Sequence, residues 1–258
     1  MQTSNNTILI TGGGSGIGRA LAEAFHRLGN EVIIAGRRRK ALDAVAAANP
    51  GMKTAVVDVQ NPDDIRRFAD RASRDFPSLN TLINNAGIMK GEDLRTNPID
   101  VSVAEATVIT NLLGPIRLTA ALLPLLRKQA QSTVMNVSSG LAFLTLAHTP
   151  TYSATKAAIH AYSDALRYQL RDTRVGVVEL VPPYVQTGLT GERQASDPRA
   201  MPLAEFIDEV MNILLTQPDV QEVLVQRVLP LRLAAEQGRE KYQEQFRSFN
   251  DALAAGVN

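Results

Sequence analysis

Cysteine is absent from this 258-residue chain. That excludes a disulfide framework, thiolate nucleophiles and cysteine-ligated metals, and leaves the redox compartment open. Histidine is scarce. His26, His148 and His160 are the whole supply, and their spacing matches no zinc site, so no metal is expected. An excess of one charge is missing too. The 27 Lys plus Arg and 26 Asp plus Glu leave a net charge of +1, which excludes a broad basic field for nucleic acid and an acidic tail. We find no apolar run of about 18 residues, so no membrane partner is expected. The opening MQTSNNTILI lacks the basic start and apolar stretch of a secretory signal. A cytoplasmic enzyme or binding protein for small molecules remains. Hydrophobic residues make up 45% and charged residues 21%, ordinary for a globular chain that can bury a sizeable core.

Apolar runs alternate with helical stripes along the chain. Thr7 to Thr11 reads as a buried strand. Glycines follow at 12–18, and then Ile17, Ala20, Leu21, Ala24, Phe25 and Leu28 recur at steps of three and four, one apolar stripe on a helix. Further strands are expected at Glu31 to Ala35, Lys53 to Val57, Leu79 to Asn84, Ser132 to Val137, Gly176 to Leu180 and Glu222 to Val228. Helices are expected at Ala41 to Ala48, Pro62 to Asp75, Val103 to Gln129, Tyr152 to Arg171 and Leu203 to Leu215, with Pro115 and Pro124 bending or interrupting the longest. Such alternation predicts an α/β fold: a doubly wound, Rossmann-type parallel sheet of about seven strands with helices on both faces. A single domain over 1–258 is the economical reading. Residues 187–215 would supply a substrate loop and helix, and 231–258 a helical tail.

Two constellations carry chemistry. Gly12, Gly16 and Gly18 follow the first strand and open the first helix. They let backbone turn tightly and approach a pyrophosphate at a helix N-terminus, although a glycine-rich turn alone would look the same. The second strand ends in Gly36, Arg37, Arg38 and Arg39. A carboxylate there would grip a ribose 2′-hydroxyl, whereas guanidinium groups suit a 2′-phosphate. This favours NADP(H) over NAD(H), against the plainer reading of a solvated basic loop. Asp58 closes the third strand, where it could accept from an adenine amino group or simply make a turn. Further on, Tyr152 and Lys156 share a helix face, four residues apart. A phenol is a poor acid at neutral pH, and a neighbouring cation is expected to lower its pKa. Ser139 ends the fifth strand and could hold a carbonyl oxygen. A surface Tyr/Lys pair remains open on these residues alone.

Together these residues resemble the short-chain dehydrogenase/reductase family. The matching pieces are TGGGSGIG at Thr11 to Gly18, NNAG at Asn84 to Gly87, Asn111, NVSS at Asn136 to Ser139, and YSATK at Tyr152 to Lys156. They run in family order to about residue 190, and the chain is most similar to the DltE-type branch of bacterial oxidoreductases. The resemblance implies a catalytic set of Ser139, Tyr152, Lys156 and Asn111. Tyr152 would donate or remove the proton, Ser139 would polarise the carbonyl, and Ser138 is the weaker candidate for that role. Lys156 would lower the phenol pKa and hold the nicotinamide ribose. Asn111 would anchor a proton-relaying water. Cofactor binding would fall to Gly12, Ser15, Gly16, Ile17, Gly18, Arg37, Arg38, Asp58, Val59, Asn85, Ala86, Gly87, Tyr152, Lys156, Val185 and Thr187.

Two departures stand out. Pro183 follows Pro182 where the family has glycine, and the tail lacks the family's glycine-rich ending. Leu141, Phe143, Leu144 and Leu146 suggest an apolar pocket wall, with His148 as a polar contact. The expectation is an NADP(H)-dependent enzyme that interconverts a moderately hydrophobic carbonyl and its alcohol, as a homodimer or homotetramer. A dinucleotide-binding regulator or redox sensor, or a scaffold whose terminal helix recruits a partner, are the alternatives.

Overall fold

The computed structural model describes residues 1–255. Parallel strands form one seven-stranded sheet, in the order β3-β2-β1-β4-β5-β6-β7. They are β1 (Thr7–Thr11), β2 (Glu31–Gly36), β3 (Lys53–Val56), β4 (Leu79–Asn84), β5 (Ser132–Val137), β6 (Val175–Val181) and β7 (Glu222–Leu224). Helices α1 (Gly16–Arg27), α2 (Arg39–Ala48) and α8 (Leu203–Thr216) cover one face, where Leu21, Phe25, Leu42, Phe206 and Val210 meet Ile8, Ile10, Ile34 and Leu180. Helices α3 (Pro62–Asp75), α5 (Gly114–Leu126) and α6 (Pro150–Gln169) cover the other, with Phe68, Leu118, Leu122 and Leu166 against Leu9, Leu82 and Val134. Burial on both faces is why the strands read as continuous apolar runs rather than alternating ones.

The chain direction across the sheet reverses between β1 and β4. In this topology the strand ends on either side of that point form a crevice. Thr11, Asn84 and Val137 close β1, β4 and β5 there.

Local chemistry sets the helix starts. Asn61 caps α3 by accepting from the N–H groups of Asp63 and Asp64, and Pro62 fills the first turn. The predicted long helix is divided. A short α4 (Ser102–Val108) runs into a π-helical turn at Ile109–Leu113 and then into α5. Pro115 has no N–H to return to the Asn111 carbonyl four residues back, so a regular α ladder cannot pass through it. The run Ser102–Leu126 is long and apolar enough to cross a membrane, with a mean hydropathy of 1.5 over an 18-residue window within it, which corrects the expectation that no such run exists. Here its buried side packs on the sheet through Leu118, Leu122 and Leu126.

The last strand stops three residues after it starts, short of the predicted Val228. Gln226–Val228 winds into a 3-10 turn, and the Gln226 N–H turns to the Glu209 carboxylate at 2.6 Å. The segment 187–202 is not a plain loop. It holds α7 (Glu192–Ser196) and a bridge between Val185 and Met201. The tail folds as α9 (Leu229–Arg232) and α10 (Arg239–Ala255), while residues 256–258 of the predicted tail lie outside the described residues.

Candidate active site

The glycine turn is shaped by Asn85. Gly12 has φ +69 and Gly16 φ +54, in the left-handed region that favours glycine. A Cβ on Gly18 would lie 2.3 Å from the Asn85 amide nitrogen and 2.7 Å from the Gly12 carbonyl. That amide nitrogen donates to the Thr11 carbonyl at 2.8 Å, and the Asn85 and Ala86 N–H groups donate to the Thr11 hydroxyl at 3.0 Å each. The turn between β1 and α1 is thereby tied to the end of β4. Ser15 precedes α1 without capping it, so the first N–H groups of the helix meet no side-chain cap. Bare glycine backbone at an uncapped helix start fits a pyrophosphate.

Arg38, not Arg37, reaches this turn. Its guanidinium donates to the Ser15 hydroxyl at 3.1 Å. Both arginines are exposed at the end of β2. The Asp58 carboxylate accepts from the Gln60 N–H at 3.0 Å, an Asx turn. Val59 is buried and packs against Gly114 at the start of α5. Thr187 lies opposite the glycine turn, its side chain 3.5 Å from where a Cβ on Gly16 would stand. The Val185 carbonyl is held by the Gln194 amide at 2.8 Å. Gln194 is buried and also accepts from the N–H and hydroxyl of Thr190 at 2.9 Å each. Sequence reading missed Gln194, and its only signal was a polar residue in an aperiodic stretch.

Ser139, Tyr152 and Lys156 come together at the ends of β5 and α6. All three are buried. The Ser139 hydroxyl accepts from the Leu141 N–H at 3.1 Å and bears on the Tyr152 phenol. Ser138 points away, its hydroxyl on the Leu180 carbonyl at 3.4 Å. Lys156 donates to the Val137 carbonyl at 2.8 Å, and its ammonium sits 5.5 Å from the centre of the Tyr152 ring. The expected lowering of the phenol pKa is not met in this arrangement. Burial pushes Tyr152 up to about 12, and the Ser139 hydroxyl pulls it only part of the way back. Burial also brings Lys156 down to about 8, opposed by the charge of Glu179.

Asn111 lies in the π-helical turn. Its side-chain oxygen accepts from the Ile88 N–H at 2.9 Å and its amide donates to the Ile88 carbonyl at 2.8 Å. The side chain clamps the strand exit, and it also limits the room at Gly87. A water role for Asn111 would therefore fall to its backbone carbonyl. Of the residues expected to wall the pocket, Phe143 packs edge-on against His160 and under Arg232, and Leu144 is buried. His148 is exposed and crowds Gly91.

Residues 6–198 match the family described as short chain dehydrogenase. The chain belongs to that family. It is 38% identical over 253 residues to the "uncharacterized oxidoreductase DltE" of Bacillus subtilis (strain 168), covering 97% of this chain and 98% of that one. A Staphylococcus aureus (strain N315) oxidoreductase, SA2266, is 31% identical over 225 residues, covering 85% and 96%. Among solved structures, a short-chain dehydrogenase from Streptomyces avermitilis superposes with TM-score 0.81 at 26% identity, covering 99% and 100%. One from Burkholderia cenocepacia J2315, in complex with NADP, superposes with TM-score 0.82 at 24% identity, covering 95% and 99%. The chain is thus an oxidoreductase-family protein of the DltE-like branch with a Rossmann-type sheet.

Proposed function

We propose that this chain is an NADP(H)-dependent oxidoreductase that interconverts a moderately hydrophobic ketone or aldehyde and its alcohol. The observation that carries this is the gathering of buried Ser139, Tyr152 and Lys156 at the same end of the parallel sheet as an uncapped glycine turn. A bound nicotinamide dinucleotide would supply the hydride. Gly12, Ser15, Gly16, Ile17 and Gly18 would hold its pyrophosphate, and Asp58, Val59, Asn85, Ala86 and Gly87 would line the adenine and ribose side. Val185 and Thr187 would meet the carboxamide. Tyr152, kept protonated by burial, donates its proton to the oxygen on which negative charge develops, and Ser139 donates a hydrogen bond to the same oxygen. Lys156 orients the ribose and supplies positive charge to the phenol as it ionises.

The phosphate preference rests on Arg38 at Ser15, with Arg37 beside it, and on the absence of a carboxylate at Gly36. The setting is cytoplasmic in this reading. The half-buried Leu112, Leu113, Ile116 and Leu123 on α4 to α5 favour a homodimer or homotetramer, which sedimentation velocity tests. Calorimetric titration of the cofactor-free protein tests the cofactor. NADPH should bind at least tenfold more tightly than NADH, about 1.4 kcal/mol. Arg38→Ala should remove roughly tenfold or more of the NADPH affinity and leave NADH unchanged, in line with a charge-assisted bond of about 1.5–3 kcal/mol. Equal loss for both cofactors would show that Arg38 does not read the phosphate. Tight NADPH binding without turnover on a carbonyl panel would favour a redox sensor.

A further inference from the structure

A row of polar side chains crosses the sheet beneath the catalytic residues. Asn84 pairs in register with Asn136, Asn136 with Glu179, and Glu179 with Glu222. Helices α5 and α6 meet this row with polar groups. Asn84 donates to Thr119 at 3.0 Å and to Asn136 at 2.9 Å, and Asn136 donates to Ser163 at 2.9 Å. Glu179 is the charged member. It is fully buried, one oxygen lies 2.7 Å from His160 Nδ1, and the other has no hydrogen-bond partner among the described residues. His160 stands one turn after Lys156 on α6, and Lys156 is anchored at Val137, the residue after Asn136.

We propose that Glu179 is a positioning residue for Lys156: its buried carboxylate is the counter-charge that keeps the ammonium protonated at the active site, and His160 holds that carboxylate in place. This rests on the reading of Lys156 as part of the catalytic set. A buried carboxylate with an unpartnered oxygen is costly unless opposite charge is near, and Lys156 is a buried cation on the helix that covers it. Burial favours the neutral amine at Lys156, and the charge of Glu179 opposes that shift.

Further charged groups adjoin His160 from three elements. From α6, Asp164 lies 3.9 Å from His160 Nε2, and Arg167 pairs with Asp164 at 2.5 Å. From β7, Glu222 lies 3.9 Å from His160 Nδ1. From α9, Arg232 grips Glu222 at 2.9 and 3.1 Å and pairs with Glu236 at 2.8 Å. His160, Glu179 and Glu222 have ligand atoms within 4.8 Å of one another. The Arg232 guanidinium already supplies the positive charge a metal would bring, so the cluster is an ion-pair network.

The test is a direct titration of the lysines in the full chain by NMR with 13C-labelled lysine side chains, without cofactor. The chain has six lysines, and the Lys156 signal is assigned by its loss in Lys156→Met. Glu179→Gln should lower the Lys156 midpoint by about one pH unit or more and leave the other lysines in place. Glu179→Asp, which keeps the charge, should restore most of the midpoint. If thermal melting shows that Glu179→Gln does not fold, the double variant Glu179→Met with His160→Leu replaces both partners by apolar groups, a change buried pairs often tolerate. It should show the same fall. A Lys156 midpoint that moves by less than about 0.2 units in a folded variant overturns the proposal. The alkaline limb of the kcat–pH profile should shift with the midpoint. A shifted lysine titration in a wild-type protein that binds no NADPH would overturn the catalytic reading while the Glu179–Lys156 coupling stands.

Discussion

Tyr152 and Lys156 are opposed in how the fold treats their protons. Burial favours the neutral phenol and the neutral amine, moving Tyr152 up to about 12 and Lys156 down to about 8. The consequence for stability has a definite sign. Between pH 8 and 10.5 the unfolded chain holds the Lys156 proton more tightly than the folded one, so stability rises with pH across that interval. Between pH 10 and 12 the folded chain holds the Tyr152 proton more tightly, so that contribution is lost as pH rises. The Lys156 interval is worth on the order of 3 kcal/mol. Urea midpoints measured from pH 8 to 10 should rise more steeply in wild type than in Lys156→Met, and equal slopes would exclude Lys156 as the cause. Activity belongs at the same scale. Tyr152→Phe should lower kcat by about 10²–10⁴ through loss of the acid, while the NADPH dissociation constant from calorimetry stays near the wild-type value. Near-normal turnover in that variant would remove Tyr152 from the mechanism.

Single elements act mainly through what they let approach. The turn from β1 into α1 works because Asn85 fills the space that side chains would take at Gly12 and Gly18. Gly18→Ala should displace the Asn85 amide from the Thr11 carbonyl. The expected loss is about 1–3 kcal/mol, the usual cost of overpacking, seen as a lower thermal midpoint together with weaker dinucleotide binding. A variant with an unchanged midpoint would mean that the Asn85 side chain yields freely. The interrupted helix is a second case. Pro115 announced an interruption, but a π turn that presents Asn111 to Ile88 was not legible, since it depends on where β4 exits the sheet. Pi-helical turns are frequent at functional sites for this kind of reason.

Over the whole molecule, the tail returns to the site. Asn250 on α10 accepts from the Ala147 N–H at 2.6 Å and donates to the Thr145 carbonyl at 3.1 Å, more than a hundred residues away in sequence. It braces the segment that leads into Tyr152. Asn250→Ala should raise KM for a carbonyl substrate by roughly fivefold, equivalent to about 1 kcal/mol for the lost bonds, with NADPH affinity unchanged in the same preparation. A parallel loss of NADPH affinity would mean that α10 supports the fold as a whole.

The sequence by itself determined the sheet class, the seven strands apart from the length of the last, and the spans of α1, α2, α3, α6 and α8 to within a few residues, because burial on both faces writes long apolar runs and periodic stripes. It also determined the family and its motif residues. Those lie in short segments, where a glycine before a helix or a Tyr and Lys one turn apart have local meaning. Tertiary structure decided the rest. Arg38 rather than Arg37 reaches Ser15, because the direction of an exposed side chain after β2 is set by the neighbouring turn. Phe143 packs against His160 and under Arg232 because α6 and α9 bring those side chains to its ring. The phenol pKa rises because burial outweighs the hydrogen bond from Ser139, while the Lys156 ammonium donates to the Val137 carbonyl. Glu179 sits beneath the active site because parallel register aligns it with Asn136 and Glu222. Each of these depends on distance through space, which chain spacing does not encode.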